Sequence, residues 1–79
     1  MSAVTPIAPQ RAARIATQLV ELIEIQKLKP NDRLPSERAL AELLAVSRPS
    51  LREALHILQA QGYVLIKHGQ GTFVQEPIV

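Results

Sequence analysis

Between Leu34 and Val74 the hydrophobic period of this chain changes once, at Gly62, and that change limits what the chain can fold into. Before it, Leu51, Ala54, Leu55 and Leu58 recur at intervals of three and four, the spacing of one helical face. After it come two short runs rich in β-branched and aromatic residues, Tyr63-Val64-Leu65-Ile66-Lys67 and Thr72-Phe73-Val74. They are separated by His68-Gly69-Gln70-Gly71, the composition of a hairpin tip. Gly62 stands where a left-handed residue would end the preceding helix.

Upstream, two further helices are legible. From Gln10 to about Lys27 the residues Ile15, Leu19, Leu22 and Ile23 form one stripe, extended by Ala12 and Ala16. Pro30 is the expected stop, with Lys27 and Lys29 near the negative end of the helix. Asp32-Arg33-Leu34 is a short extended link, because Pro35 disfavours helix at the residue before it. Ser36 then suits an N-cap, and Glu37 suits the positive end of a second helix with Leu40, Leu43 and Leu44 as its core residues. Ala45-Val46 forms a tight turn, Ser47 caps a third helix, and Pro49 falls in its first turn, where a missing N–H costs nothing. The expected fold is mainly α with a small β-hairpin: three helices plus a wing, a winged helix-turn-helix.

Length and composition restrict the rest. Seventy-nine residues make one small domain, burying about 60% of the surface its unfolded chain exposes. With one Phe, one Tyr and no Trp, the core must be aliphatic. The chain has no cysteine, hence no disulfide framework and no thiolate metal site. His56 and His68 do not make a metal site between them. No phosphate-cradling loop, nucleophile-turn signature or paired carboxylates support an enzyme. The segment MSAVTPIAP lacks the form of a secretory signal, and no apolar run reaches the ~20 residues of a membrane span. Residues 1–9 are expected to be a flexible tail, 10–75 the folded domain, and 76–79 the start of a linker.

A net charge of +2 says little; where the arginines fall says more. Arg48 and Arg52 lie four apart at the start of the third helix and share a face. A guanidinium can grip N7 and O6 of guanine in the major groove. Ser47 and Ser50 put hydroxyls beside helix N–H groups that favour a phosphate, while Leu51 points inward and anchors the helix. The bland alternative is an ordinary helix start with solvated arginines, and for an isolated RxxxR it would be the better one. A capped short helix and tight turn before it, and a hairpin after it, reverse that balance. Arg38, in the first turn of the second helix, is placed for a phosphate contact, with a surface pair to Glu42 as the alternative. The tip at His68 and Gly69 can approach a backbone or minor groove closely. The competing use of such a fold is a protein-interaction module, which would expect an exposed apolar stripe in place of the arginines.

Three motifs in order, LPSER at 34–38, VSRPSLREAL at 46–55 and GQGTFV at 69–74, resemble the N-terminal domain of GntR-type bacterial transcription regulators, in wording closest to the FadR-like branch. The resemblance spans roughly Ile15 to Val74. It implies sequence-specific binding of a palindromic operator on double-stranded DNA, with the third helix in the major groove and the wing in the minor groove, in a cytoplasmic, nucleoid-associated repressor. Arg38, Arg48 and Arg52 match arginines that contact operator DNA in the family. Ser47, Pro49 and Ser50 match the neighbouring helix-start positions, and His68 and Gly69 match the wing tip. It further implies a homodimer whose C-terminal domain senses a small metabolite. Nothing follows Val79, so the expectation is an excised DNA-binding domain without that effector domain and without a cofactor. One departure is Ala45, where the family often has Gly; a left-handed turn there would cost about 1 kcal/mol.

Overall fold

The computed structural model describes residues 7–75. Three helices, α1 (Ile7–Ile25), α2 (Glu37–Leu44) and α3 (Arg48–Ala60), precede an antiparallel hairpin of β1 (Val64–Lys67) and β2 (Gly71–Val74). This is the expected mainly helical, winged architecture. Helix α1 begins at Ile7, three residues before the expected start, so residues 7–9 belong to the helix and not to a tail. Proline at position 9 falls in the first turn, where a backbone N–H would have no acceptor within the helix. The expectations for residues 1–6 and 76–79 lie outside the described residues.

The three helices end in the same way. In each, a residue one or two positions past the helix is left-handed: Lys27 (φ 56°), Ala45 (φ 56°) and Gly62 (φ 88°). The next N–H in turn reaches back five residues, from Leu28 to the Ile23 carbonyl (3.0 Å), Val46 to Ala41 (3.0 Å) and Tyr63 to Leu58 (2.9 Å). This Schellman pairing satisfies carbonyls that a helix end leaves open. Pro30 is therefore not what stops α1. The stop comes earlier, at Lys27, and a lysine fills a position where glycine is more usual. Ala45 adopts the left-handed conformation too, so the turn keeps its shape and the backbone absorbs the cost.

The core is aliphatic. Ile15 and Leu19 of α1, Leu40 of α2, Leu51, Leu55 and Leu58 of α3, and Val64 of β1 are its largest fully buried side chains. Leu34 and Val74 join them from the link and β2. Leu22 and Ile23 pack only at its margin. Leu43 is a correction: it is 59% exposed. Helix α2 buries the arc of Leu40, Ala41 and, in part, Leu44, and at 3.6 residues per turn Leu43 lies about 110° from the middle of that arc. The small Ala41 takes the buried place that the sequence pattern had given to leucine.

The link before α2 does more than extend. Asn31 and Leu34 donate to the carbonyls of Val74 and Thr72, and Val74 donates to that of Asp32, each at 2.8 Å. Arg33 thereby pairs with Phe73 as an antiparallel bridge. Strand β2 is held on both edges, by β1 in the register Val64↔Val74 to Lys67↔Gly71 and by the link on the other side. A hairpin of two four-residue strands is marginal alone; here it is tied to the body of the domain.

Candidate nucleic-acid interface

Ser36 and Ser47 cap the two helices of the helix-turn-helix. Ser36 Oγ accepts from the Ala39 N–H (3.1 Å), and Ser47 Oγ from the Ser50 N–H (3.3 Å). The Ser47 hydroxyl also hydrogen-bonds that of Ser50 at 2.9 Å. Both serines are thus engaged with one another at the head of α3, and Pro49 occupies the adjoining first turn as expected.

The caps start α2 and α3 so that Glu37 faces the exposed edge of α3. Arg52 binds its carboxylate with two donors, Nε to Oε2 at 3.3 Å and Nη2 to Oε1 at 3.1 Å. Arg48 approaches the same Oε1 at 3.7 Å. The hydrogen bond from Arg52, followed by the positive charges of Arg52 and Arg48, holds the Glu37 carboxyl below its ordinary value, against an opposing effect of burial. The same pair raises Arg52. All three side chains keep access to solvent, so the triad serves mainly to orient the arginines and adds little stability.

Arg38 points elsewhere. Its Nε lies 3.6 Å from Glu42 Oε2, one turn along α2, with both side chains largely exposed. An exposed pair of this kind is worth well under ~1 kcal/mol and leaves the guanidinium open to exchange partners. At the wing, the turn closes with the Gln70 N–H on the Lys67 carbonyl (3.0 Å). His68 and Gly69 are both exposed at its tip. Gly69 is favoured by its φ of +74° alone, because an added Cβ would meet no atom within 4 Å. Gly71 is required twice over: its φ is +120°, and a Cβ would sit 2.7 Å from Arg33 Nε. The Arg33 side chain therefore lies against the wing backbone at Gly71. The Lys67 ammonium sits 4.8 Å from the ring centre of Phe73 on that hairpin.

The structure thus brings Arg48 and Arg52 together on one face of α3, places His68 and Gly69 at the end of the wing, and leaves Arg38 on the surface of α2. Two contacts here go beyond the sequence reading, which gives Glu37 only a helix-dipole role and Arg33 only a place in the extended link. Separations of 11 and 15 residues between Glu37 and its arginines carry no periodic signal. Among the described residues no three side chains cluster as metal ligands, and no helix is long and apolar enough to cross a membrane.

Residues 11–74 match the family described as bacterial regulatory proteins, gntR family. The chain belongs to that family. One relative is the HTH-type transcriptional regulator LutR of Bacillus subtilis (strain 168), 49% identical over 55 residues, which are 70% of this chain and 25% of LutR. The chain spans about a quarter of the length of the curated relatives it matches. Among solved structures, the possible transcriptional regulator YydK of Bacillus subtilis superposes with a TM-score of 0.80 at 28% identity, over 87% of this chain and 30% of YydK. The AraR DNA-binding domain in complex with operator ORX1 does so with a TM-score of 0.74 at 30% identity, over 90% of this chain and 81% of that domain. The winged fold of this gntR-family chain is thus one that AraR uses while bound to operator DNA.

Proposed function

We propose that this chain is the sequence-specific DNA-reading module of a gntR-family transcription regulator. The observation that carries this is the exposed start of α3, where Glu37 orients Arg48 and Arg52 side by side beside the wing. Two guanidinium groups one helical turn apart suit the guanine edges of a major groove. Arg38, Ser47, Pro49 and Ser50 lie where the flanking backbone would pass, and His68 and Gly69 at the tip suit the minor groove. The AraR DNA-binding domain, which shares this fold and is in complex with operator ORX1, supports DNA as the partner.

The regulator is a cytoplasmic homodimer on a palindromic operator, acting as a repressor under a small-molecule effector bound outside this segment. Family membership and the greater length of the relatives support this wider reading. A single winged unit covers one half-site, and two half-sites about one helical turn apart supply the remaining affinity.

The test is selection of bound duplexes from a random pool, followed by fluorescence anisotropy on the selected and random duplexes across a salt series. Affinity should fall steeply with salt, and the selected duplex should be preferred. Arg52→Ala should lower affinity for the selected duplex about tenfold or more and relax base preference at one position. An equal loss on every sequence would make Arg52 a phosphate contact, and binding that ignores salt would refute DNA recognition altogether.

A further inference from the structure

A helix in a major groove and a wing in the neighbouring minor groove have one sugar-phosphate strand between them, because that strand is what divides the two grooves. In this fold, the space between α3 and the wing is a cleft lined by Glu37, Arg52, His56, Gln59, Ile66 and His68. One hydrogen bond sets its width. Gln59 Oε1 accepts the Ile66 N–H at 2.7 Å, in a partly buried position, and clasps the outer edge of β1 to the helix.

His56 stands on the α3 wall of this cleft, one turn beyond Arg52. Arg48, Arg52 and His56 thus make a single stripe about 12 Å long. The two arginines share Glu37, while exposed His56 has no hydrogen bond or ion pair among the described residues. We propose that the cleft seats the strand between the grooves, and that His56 in its protonated form donates to one of its phosphates. This rests on the DNA-reading function proposed above.

Histidine changes charge between pH 5 and 8, so the contact is present at low pH and lost as pH rises. The charged or titratable groups sharing the cleft are Arg52 on the same helix, Glu37 from α2 and His68 from the wing turn, while β1 contributes only Ile66. The Glu37 carboxylate is already held by two guanidinium groups. Glu53, three residues before His56 on α3, does not line the cleft, so a phosphate seated in it would be the acceptor there for the imidazole. His68 faces the same strand from the other wall.

The experiment uses the 79-residue chain, a labelled duplex selected by it from a random pool, and a random duplex of equal length. Anisotropy is read near pH 6 and near pH 8 over a salt series. At the lower pH, His56→Gln should weaken binding about three- to tenfold on both duplexes alike, and flatten the slope of log affinity against log salt by about 0.9. Near pH 8 the variant and the wild type should converge. A single uncharged methylphosphonate, moved along the strand between the grooves, should at one position weaken the wild type and cost His56→Gln nothing. His56 is exposed, so the variant should melt with the wild type. Equal affinities near pH 6, on a duplex the wild type binds well, would overturn the role of His56 and leave DNA reading standing. A loss confined to the selected duplex would overturn it as well, by making His56 a base contact. Failure of the wild type to bind DNA would remove the DNA-reading function and this inference with it.

Discussion

Replacing Ala45 by glycine should make this domain more stable, against the usual effect of putting glycine inside a helix. Ala45 is exposed, with φ 56° and ψ 46°, and it ends α2 in the left-handed conformation. In that conformation a Cβ crowds the following carbonyl, at a cost of about 1–2 kcal/mol. Glycine removes the crowding but enlarges the unfolded ensemble, giving back about 0.4–1 kcal/mol. The backbone bonds that form the turn, Ala45 N–H to Glu42 and Val46 N–H to Ala41, survive the change. The net gain lies between about 0 and 1.6 kcal/mol, and its midpoint of about 0.8 raises the melting temperature of a domain of this size by roughly 3–6 °C. Circular dichroism melts of wild type, Ala45→Gly and Ala13→Gly measure it. Ala13 is exposed within α1, so the same chemical change there should cost about 0.5–1 kcal/mol. Opposite shifts are required. A lower melting temperature for Ala45→Gly would mean that residue 45 is not left-handed in solution, and the argument about helix ends would fail.

Gly71→Ala should destabilise by about 1–3 kcal/mol, since its φ of +120° and the Arg33 side chain both oppose a Cβ. Gly69→Ala, with open space around it, should cost nearer ~1 kcal/mol in the same melts; equal losses would contradict the placement of Arg33. The Glu37 carboxyl titrates below its ordinary value in the folded chain, so the stability it adds is present above the unfolded value of about 4.3 and is lost as pH falls through the lowered folded one. Urea titrations of wild type and Glu37→Gln should therefore differ by less than ~1 kcal/mol near neutrality and converge in acid, whereas parallel curves would refute the coupling. Anisotropy should also show Glu37→Gln gaining more affinity for random duplex than for the selected one; an unchanged ratio would mean that Glu37 has no part in discrimination.

Much of the fold could be read from the sequence because it is written locally. The stripe Leu51, Ala54, Leu55, Leu58 is buried throughout, Ser36 and Ser47 cap the helices named for them, and Gly62 ends α3 as a left-handed residue. Each of these depends on neighbours within one or two turns. The misreadings have a different origin. Leu43 was misplaced because a short helix offers two competing arcs, and only its packing against α3 decides between them. Lys27 and Ala45 carry no glycine, so nothing in their identity announces a left-handed stop. For the interface, the grouping of Arg48 with Arg52 follows from i,i+4 spacing and was legible. The carboxylate between them, the clasp of Gln59 on Ile66 and the reach of Arg33 across Gly71 are tertiary contacts, set by how α2, α3 and the wing meet.

The shared carboxylate at Glu37 also bears on time. A regulator spends most of its search on DNA of the wrong sequence, where only phosphates are on offer. Two guanidinium groups holding one carboxylate present a single positive charge there, where free arginines would present two. Fewer counterions are displaced at each wrong position, so every wrong encounter is shorter and more of the duplex is sampled per second. On the proposed reading, guanine N7 and O6 at the right position would add a bidentate acceptor to these donors, and the complex would persist. On that reading the carboxylate of Glu37 trims the charge that this face offers to any phosphate, and the base edges supply the difference between a passing encounter and a lasting one.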